Sequence, residues 1–292
     1  MKYIYLVNRF IYKEKTEMLI NCLDEVSRQF NRDYEIVIND DLKSAKENAR
    51  KFKDNQYIIT SIGGDGAINL LLNDIVHTNN ILSYIPMGTG NDFYRSNLDD
   101  LKDGIHDVDV VKINDYYYIN IACFGMDADI ANDDRFIHNK YIPKSMRYNV
   151  GLVYYYFTYK PKNLSVIIND QTIKQDITSV VVANAKYYGG GYHVAPNSKI
   201  DDGLLEVYVV DKLNKLQMAD IILSIQSGKH LKNPALKSFT AKKLSILSDQ
   251  PINANMDGED ILADRFDIEI IPKAIKLDIN FNFINEIHKK IK

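Results

Sequence analysis

The first third of the chain alternates two patterns of apolar residues. Four short apolar runs have the length of buried strands, and they span residues 3–7, 34–38, 57–62 and 81–85. Between these runs apolar residues recur at helical spacing, as Leu19, Leu23 and Val26 do. Strands that alternate with helices form βαβ units, whose strands are parallel. The pattern therefore predicts an α/β domain built on a doubly wound parallel sheet.

From about residue 114 this pattern gives way to a series of short β-rich segments. They span residues 116–122, 164–168, 179–184, 204–210, 243–247, 252–256 and 266–271. Many short strands of this kind are typical of a β-sandwich. We predict an α/β domain over residues 1–112 and a β-sandwich domain over 113–281. Residues 282–292 are predicted to form a short helix that packs back on the first domain.

Two glycine-rich turns directly follow the third and fourth apolar runs. Residues 63–66 read Gly-Gly-Asp-Gly, and residues 88–90 read Gly-Thr-Gly. Glycines expose backbone N–H groups where a helix begins, which suits a phosphate group, although a glycine pair also serves simply to pack a helix on a sheet. The carboxyl ends of parallel strands share one edge, so we expect both turns to face one crevice, between the domains.

Composition and charge narrow the classes of function. The 292 residues include 46% hydrophobic residues and carry a formal net charge of −3, so bulk charge does not favour nucleic acid as a partner. Cys22 and Cys123 are too few for a disulfide framework or a zinc site. The N-terminal apolar run is too short for a signal peptide, and no run approaches about 20 apolar residues. We expect a cytoplasmic protein without a transmembrane segment.

One apolar stripe bears on membrane contact. Its members recur at helical spacing, and they are Met146, Val150, Val153, Tyr154 and Phe157. Such a stripe usually faces a protein core, and we favour that interpretation; peripheral contact with a membrane is the alternative.

Four blocks of sequence resemble the diacylglycerol kinase catalytic family, which comprises bacterial lipid kinases related to diacylglycerol and sphingosine kinases. The blocks are Gly-Gly-Asp-Gly at 63–66, Gly-Thr-Gly-Asn-Asp-Phe at 88–93, the segment from Tyr188-Gly-Gly-Gly to Asp201-Asp202-Gly203, and Asp-Gly-Glu at 257–259. Their order and distances carry more weight than any one block does. With flanking pieces such as 120–127 and 266–272, the resemblance covers nearly the whole chain.

The resemblance implies ATP as the phosphate donor and a set of nucleotide-binding residues. The expected contacts are Asn8, Asn39, Gly63, Gly64, Asp65, Gly66, Ala67, Asn69, Gly88, Thr89, Gly90 and Asn91. The chain departs from the family at Arg9-Phe10, where the family usually has proline and small residues, and near Asn39, where it usually has threonine. Ala67 also replaces a usual threonine. The loss of one hydroxyl typically costs roughly 0.5–3 kcal/mol of phosphate binding.

Asp257 and Glu259 are the predicted catalytic carboxylates. If the strand over 252–256 continues, both side chains point to the same face. The resemblance implies this pair in catalysis, so we expect Asp257 as the general base and Glu259 as its partner or as an alternative base. Asp65 is a rival base. Asp257-Gly258 is also a favoured hairpin turn, which is the structural alternative.

Residues 201–203, Asp-Asp-Gly, resemble the magnesium loop of the family. The resemblance implies a structural Mg²⁺ bound by the carboxylate of Asp202 and the backbone carbonyls of Lys199 and Leu204, a set of hard oxygens that suits the ion. Asp92 is expected to connect the metal to the glycine turns through water. A solvated acidic turn is the alternative.

These observations together predict an ATP-dependent kinase that phosphorylates a primary hydroxyl of diacylglycerol or a similar lipid alcohol. Its partners would be a lipid substrate reached by peripheral contact with the membrane and a second copy of the chain in a homodimer. An NAD kinase-like enzyme is one alternative, disfavoured because its Asn-Glu pair should closely follow the glycine loop, whereas here it occurs at 285–286. A non-catalytic nucleotide-binding regulatory protein is the other.

Overall fold

A computed structural model describes residues 1–53, 55–98, 100–143 and 146–291. The chain divides into two compact units, and each has its own core. The first unit comprises Met1–Val110 together with Pro272–Lys292, and the second comprises Val111–Ile271.

The secondary structure follows the alternation seen in the sequence and then departs from it. The strands are β1 (Tyr3–Asn8), β2 (Tyr34–Asn39), β3 (Ile58–Gly63), β4 (Ile81–Pro86), β5 (Gly104–Ile113), β6 (Tyr116–Tyr118), β7 (Ile121–Gly125), β8 (Lys162–Ile168), β9 (Gln171–Ala183), β10 (Leu205–Asp211), β11 (Leu236–Ala241), β12 (Lys243–Met256) and β13 (Glu259–Ile279). The helices are α1 (Arg9–Tyr12), α2 (Thr16–Gln29), α3 (Leu42–Lys51), α4 (Asp65–Ile75), α5 (Asp92–Leu98), α6 (Met126–Ala131), α7 (Asp134–Ile137), α8 (Arg147–Thr158), α9 (Lys215–Ser224) and α10 (Phe281–Ile291). Short 3₁₀ turns span Lys13–Lys15, Ile225–Ser227 and Lys229–Lys232.

A parallel sheet forms the centre of the first unit. Its strand order is β2-β1-β3-β4, followed by the C-terminal end of β13, and every neighbouring pair is parallel. β1 lies inside the sheet with β2 on one side and β3 on the other, so the chain winds in both directions from β1. This is the predicted doubly wound fold. Asn8 pairs with Asn39, and Gly63 pairs with Pro86, so these strand ends lie at one edge.

Helices α2 and α10 cover one face of this sheet. Leu23 and Val26 of α2 are fully buried because they repeat at helical spacing, and they pack with Tyr5 of β1. Phe283 and Ile287 of α10 join the same cluster. Burial of each such side chain contributes roughly 1.5–3 kcal/mol. The C-terminal helix therefore belongs to the core of the first unit.

The second unit is antiparallel, and it is the predicted β-sandwich. The two long strands β9 and β12 each pair with β7 along one part and with β8 along another, which brings two layers together. The layers enclose a continuous apolar core that includes Phe124, Val166 and Phe266. β12 and β13 form a hairpin in which Met256 pairs with Glu259.

The stripe on α8 does not face a core, and our favoured interpretation of it was wrong. Val153 is 61% exposed and Phe157 is 70% exposed, whereas the opposite side of the helix is buried at Gly151. Contacts of that opposite side, from Tyr148 and Leu152, explain how the helix is held while the stripe stays outside. Among the described helices, none combines the length and the apolar character that crossing a bilayer requires.

Candidate functional site

The two glycine turns meet at the carboxyl edge of the parallel sheet, as predicted. The N–H of Met87 donates to the carbonyl of Gly63 over 2.8 Å, directly beyond the last pair of β3 and β4. A β-carbon on Gly88 would lie 2.5 Å from the Cα of Gly64. No side chain fits in that space, so this close approach requires glycine. The two turns therefore lie in direct contact at this edge.

The carboxylate of Asp65 holds the two turns together. Its two oxygens accept hydrogen bonds from the backbone N–H groups of Asp92, at 3.0 Å, and Phe93, at 2.9 Å, where α5 begins. Asn91, whose φ is 52°, bonds through its side-chain amide to both the N–H and the carbonyl of Gly88, each at 2.9 Å. A carboxylate is stabilised by the N–H groups at a helix N-terminus. The contacts of Asp65 are thus those of a residue that positions the turns, and its catalytic role stays a prediction.

The other predicted cradle residues leave room for a ligand. Thr89 is exposed, and the carbonyl of Gly90 accepts a hydrogen bond from Arg95 over 3.2 Å. Gly66 and Asn69 lie on the first two turns of α4, and a β-carbon on Gly66 would meet no atom within 4 Å. Positive potential at the start of α4 acts on this open backbone. The edge is therefore suited to bind an anion.

Asn8 and Asn39 lie side by side at the ends of β1 and β2. The Asn39 amide donates to the Asn8 side-chain oxygen over 2.9 Å, and Asn48 of α3 donates to the Asn39 side-chain oxygen over 2.8 Å. Asn8 is 4% exposed and Asn39 is 1% exposed. Buried amides need such partners because an unmade hydrogen bond is costly. These two hydrogen bonds connect β1, β2 and α3. That Asn8 and Asn39 contact a nucleotide stays a prediction.

Sequence reasoning missed Tyr12, which lies beside the first glycine turn. Its hydroxyl oxygen lies 3.6 Å from the position that a β-carbon on Gly63 would occupy. This oxygen is buried and has no hydrogen-bond partner among the residues that the structure describes. Burial raises the pKa of Tyr12 to about 12, so the hydroxyl keeps its proton at neutral pH. The departure from the family pattern at Arg9-Phe10, in the short helix α1 that Tyr12 ends, was the available signal.

Asp257 and Glu259 do not share a strand face, which corrects our expectation. β12 ends at Met256, and Asp257 and Gly258 form the two-residue hairpin turn with φ values of 50° and 88°. Both have positive φ, as a type I′ turn requires. The side chain of Glu259 is exposed, whereas Asp257 is 8% exposed. The two side chains differ because the chain reverses direction at Asp257 and Gly258 and does not continue as one strand.

The carboxylate of Asp257 binds the backbone that leads into β7. It accepts hydrogen bonds from the N–H groups of Ile119 (2.8 Å), Asn120 (3.0 Å) and Ile121 (2.9 Å), which use both of its oxygens. Three N–H groups stabilise a negative charge strongly and orient the loop that supplies them. Two sequence blocks that resemble the family, at 120–127 and 257–259, are thereby brought into contact. Sequence spacing could not have shown this.

The predicted magnesium loop is an exposed turn before β10. The Asp202 carboxylate accepts a hydrogen bond from the N–H of Leu204 over 3.0 Å, and Gly203 has a φ of 71°. Lys199 is exposed. Across the described ranges, no three His, Cys, Asp or Glu side chains are grouped closely enough to hold a metal ion. Asp92, in the first unit, is 6% exposed and donates its N–H to Asp65, as described above.

The second unit contains an apolar cavity of about 80 Å³. Side chains from β7, β9, β10, α8 and α9 line it, including Cys123, Leu152, Val181, Met218 and Ile222. Most of this lining is aliphatic or aromatic. Such a lining suits an apolar ligand better than a polar one.

Asp127 supplies a charged group to the wall of this cavity, and sequence reasoning assigned it no role. It accepts hydrogen bonds from the hydroxyls of Tyr148, at 3.1 Å, and Ser179, at 2.5 Å. Burial raises the pKa of Tyr148 well above its ordinary value, and the charge of Asp127 acts in the same direction. Tyr148 therefore remains a hydrogen-bond donor at neutral pH. The signal for Asp127 was its place at the end of the block 120–127.

The α/β unit and the β-sandwich unit each match a family model, and together the two models define a kinase class. Residues 2–113 match the family described as the diacylglycerol kinase catalytic domain. Residues 120–279 match the YegS C-terminal NAD kinase beta sandwich-like domain. The chain belongs to the diacylglycerol kinase catalytic family of bacterial lipid kinases, as its sequence motifs predicted.

Curated relatives carry names consistent with this family. A diacylglycerol kinase of Staphylococcus saprophyticus is 28% identical over 232 residues, which cover 73% of each chain. A diacylglycerol kinase of Bacillus subtilis is 22% identical over 271 residues, or 86% of each chain. A probable lipid kinase, YegS-like, of Shewanella frigidimarina is 27% identical over 229 residues, which cover 73% of this chain and 74% of the relative.

Solved structures share the fold. The crystal structure of a diacylglycerol kinase from Bacillus anthracis strain Sterne has a TM-score of 0.69 at 20% identity, and the match covers 96% of this chain and 97% of that chain. A second structure from the same strain has a TM-score of 0.77 at 20% identity, with 97% and 98% covered. At this level of identity, the likeness concerns the fold alone.

Proposed function

We propose that this lipid kinase transfers the γ-phosphate of ATP to the primary hydroxyl of diacylglycerol or a similar lipid alcohol. The observation that carries the proposal is the direct contact of two glycine turns at the carboxyl edge of the parallel sheet. Gly64 and Gly88 approach within a distance that only glycine permits. Phosphoryl transfer depends mainly on positioning and on charge stabilisation, which such a backbone cradle provides.

The donor site, in this proposal, combines the glycine turns with the hydroxyl of Tyr12. The chain lacks the threonine hydroxyl that the family usually has at Ala67. Ala67 lines a small cavity together with Asn8, Asn39 and Ser61. The Tyr12 hydroxyl, which has no partner within the described part of the chain, lies beside the first glycine turn and would replace the missing donor. Asn8 and Asn39 would orient the nucleoside end.

The acceptor site, in this proposal, is the apolar cavity of the second unit. Diacylglycerol is neutral, so it offers no charge for recognition and must be held by its chains. The apolar lining suits a short segment of such a chain, and Asp127 and Tyr148 would accept and donate hydrogen bonds to a glycerol hydroxyl. The family names of the relatives support a lipid alcohol over a nucleotide acceptor.

In this proposal Glu259 is the general base. Both oxygens of Asp257 already accept backbone N–H groups, which leaves them less able to approach an acceptor hydroxyl. Glu259 is exposed and follows it in the hairpin. We therefore reassign Asp257 to a positioning role and Glu259 to proton abstraction, with Asp65 as the rival base.

Mg²⁺ completes the proposal as a partner of the ATP phosphates. Magnesium in kinases is commonly held by one or two carboxylates and by substrate phosphates, with water completing its shell. A separate, structural Mg²⁺ would be held by the carboxylate of Asp202 and the carbonyls of Lys199 and Leu204, which are hard ligands that the ion prefers. When bound to the ATP phosphates, Mg²⁺ would neutralise charge that develops on the transferred group.

The decisive test is a phosphorylation assay with labelled ATP and magnesium. The acceptors would be diacylglycerol, a sphingoid base, a monoacylglycerol, a prenol-type alcohol and NAD. We expect a labelled phosphatidic acid from diacylglycerol and its loss when divalent ions are chelated. A labelled NADP product would show an NAD kinase instead. ATP binding without any labelled product would indicate a regulatory nucleotide-binding protein.

A further inference from the structure

The sequence Tyr188-Gly-Gly-Gly, which begins the third of the four sequence blocks, has no role in the proposed function. Its three glycines, at 189–191, have positive φ values of 68°, 86° and 112°. Residues with side chains rarely adopt such angles, so this loop requires glycine. Tyr188 and Tyr192 close the loop with two backbone hydrogen bonds of 3.1 Å each. The loop therefore holds two tyrosines side by side.

Both tyrosines line the apolar cavity, but their hydroxyls bond to different elements. The Tyr192 hydroxyl donates to the side-chain oxygen of Asn149 in α8 over 2.9 Å. The Tyr188 hydroxyl donates to the side-chain oxygen of Asn255 in β12 over 2.5 Å. Burial raises the pKa of Tyr188 well above its ordinary value, so its hydroxyl remains a donor at neutral pH. One wall of the cavity is thereby joined to the strand that leads into the hairpin of Glu259.

The side chain of Asn255 lies on the cavity side of its sheet. Its neighbours Ala254 and Met256 belong to the core of the sandwich, so Asn255 faces the other way. The residues paired with Asn255 are Cys123 of β7 and Asp260 of β13. Directly paired residues point to the same face of a sheet, and Cys123 lines the cavity. Asn255 thus stands between the cavity and β13.

Every polar atom of the Asn255 side chain has a partner, and the residue is 3% exposed. Its oxygen also accepts the backbone N–H of Gly258 over 3.2 Å. Its nitrogen donates to the carboxylate of Asp260 over 2.5 Å. An amide supplies an acceptor and a donor together, which an ionised aspartate does not. Gly258 immediately precedes Glu259, so these bonds fix the turn from which Glu259 starts.

We propose that Asn255 and Tyr188 are positioning residues, which hold the hairpin of Glu259 in its place relative to the acceptor cavity. Neither touches the reacting atoms, and both act through Glu259. The inference rests on the proposed function, because it requires Glu259 to act as a base on a lipid acceptor. A displacement of about 1 Å at a reacting group can cost about 10²-fold in rate, so a remote bond that fixes the base matters.

Steady-state kinetics of Tyr188→Phe test the proposal, with ATP and water-dispersed dioctanoylglycerol as substrates. The variant keeps the ring in the cavity wall and loses only the bond to Asn255. We expect turnover to fall about three- to tenfold, while both KM values stay within about twofold. Asn255→Ala removes all three bonds and should lower turnover about 10²-fold. Thermal melts show whether each variant is folded, and Tyr188→Phe remains informative if Asn255→Ala is not.

A double-mutant cycle shows whether Tyr188 acts through Glu259. In a Glu259→Gln background, Tyr188→Phe should cause no further loss of turnover, because the group that it positions is already absent. Tyr192→Phe is the matched control, since it removes a hydroxyl from the same loop that bonds to α8 instead. Any loss that Tyr192→Phe causes should be equally large in both backgrounds. Equal losses for Tyr188→Phe in both backgrounds would contradict the proposal.

Hydrogen exchange distinguishes positioning from a merely structural bond. The amide of Gly258 should exchange faster in Tyr188→Phe than in wild type, together with the fall in turnover. Faster exchange with unchanged turnover would show that the bond only stabilises the hairpin, and the inference would then be wrong while the proposed function stands. A wild-type protein that phosphorylates no lipid alcohol would instead overturn the kinase proposal, and this inference with it.

Discussion

Two aspartates in glycine-containing turns use their carboxylates in similar ways, but in different surroundings. Asp65 accepts two backbone N–H groups, at 3.0 and 2.9 Å, beside an open stretch of glycine backbone. Asp257 accepts N–H groups from three consecutive residues and is 8% exposed. The first carboxylate organises an edge that a ligand can reach, and the second holds a loop inside a β-sandwich.

The difference shows that a motif residue's role depends on what its atoms already bind. Both aspartates are acidic residues within family motifs, and the sequence alone made both of them candidates for the base. In the structure the carboxylates of both aspartates accept backbone N–H groups, whereas the side chain of Glu259 is exposed. The predictions below test this separation, from the largest expected effect to the smallest.

Glu259→Gln should reduce the turnover number by about 10²- to 10⁴-fold, the range attributed to general-base catalysis. The midpoint of thermal unfolding should not change, because the side chain is exposed. Steady-state kinetics with saturating ATP and diacylglycerol would measure the effect. A Glu259→Gln variant with normal turnover would return the base role to Asp257 or Asp65.

Asp257→Asn should lower stability by about 3 kcal/mol, because an amide nitrogen would then face backbone N–H groups that need an acceptor. For a protein of this size, the midpoint would fall by roughly 6–12 °C. Thermal melts beside Glu259→Gln provide the comparison. Unchanged stability with lost turnover in Asp257→Asn would contradict the positioning role and favour Asp257 as the base.

Gly88→Ala should separate the two glycine turns, since its β-carbon would lie 2.5 Å from the Cα of Gly64. We expect a loss of roughly 1–3 kcal/mol of stability and a clear rise in the KM for ATP. Gly66→Ala is the matched control for stability, because a β-carbon there meets no atom within 4 Å. Equal melting behaviour of the two variants would argue against a tight contact between the turns.

Tyr12→Phe should raise the KM for ATP severalfold, which corresponds to the loss of one hydrogen bond worth roughly 0.5–1.5 kcal/mol. The ring remains, so stability should be nearly unchanged. Adding Ala67→Thr should restore part of the affinity by returning a hydroxyl beside the same glycine turn. If Tyr12→Phe binds ATP like wild type, the hydroxyl is not a phosphate donor.

Most of the fold of the first unit could be predicted because its signals are local. Each strand is a short apolar run, and each long helix has apolar residues at regular spacing, as Leu23 and Val26 show. For the second unit, only the class of fold, a β-sandwich, could be predicted. The strand β13 spans 21 residues, from Glu259 to Ile279, and sequence reasoning predicted only residues 266–271 of it.

The site was predictable where glycine specifies backbone geometry, as at Gly64 and Gly88. It was not predictable where distant segments meet. The contact of Asp257 with Ile119–Ile121 joins residues about 137 positions apart, and no spacing rule reveals it. The exposed stripe on α8 shows the same limit, because periodicity identifies an apolar face but not what the face contacts.

Hydrogen exchange with and without ATP and magnesium tests the central claim most directly. The account predicts that the nucleotide slows exchange of backbone amides in residues 63–67 and 88–93, where the glycine turns meet. The amides of Ile119–Ile121, which bind Asp257, should exchange at the same rate in both states. Protection confined to other segments, with residues 63–67 and 88–93 unchanged, would contradict a nucleotide site at the glycine turns.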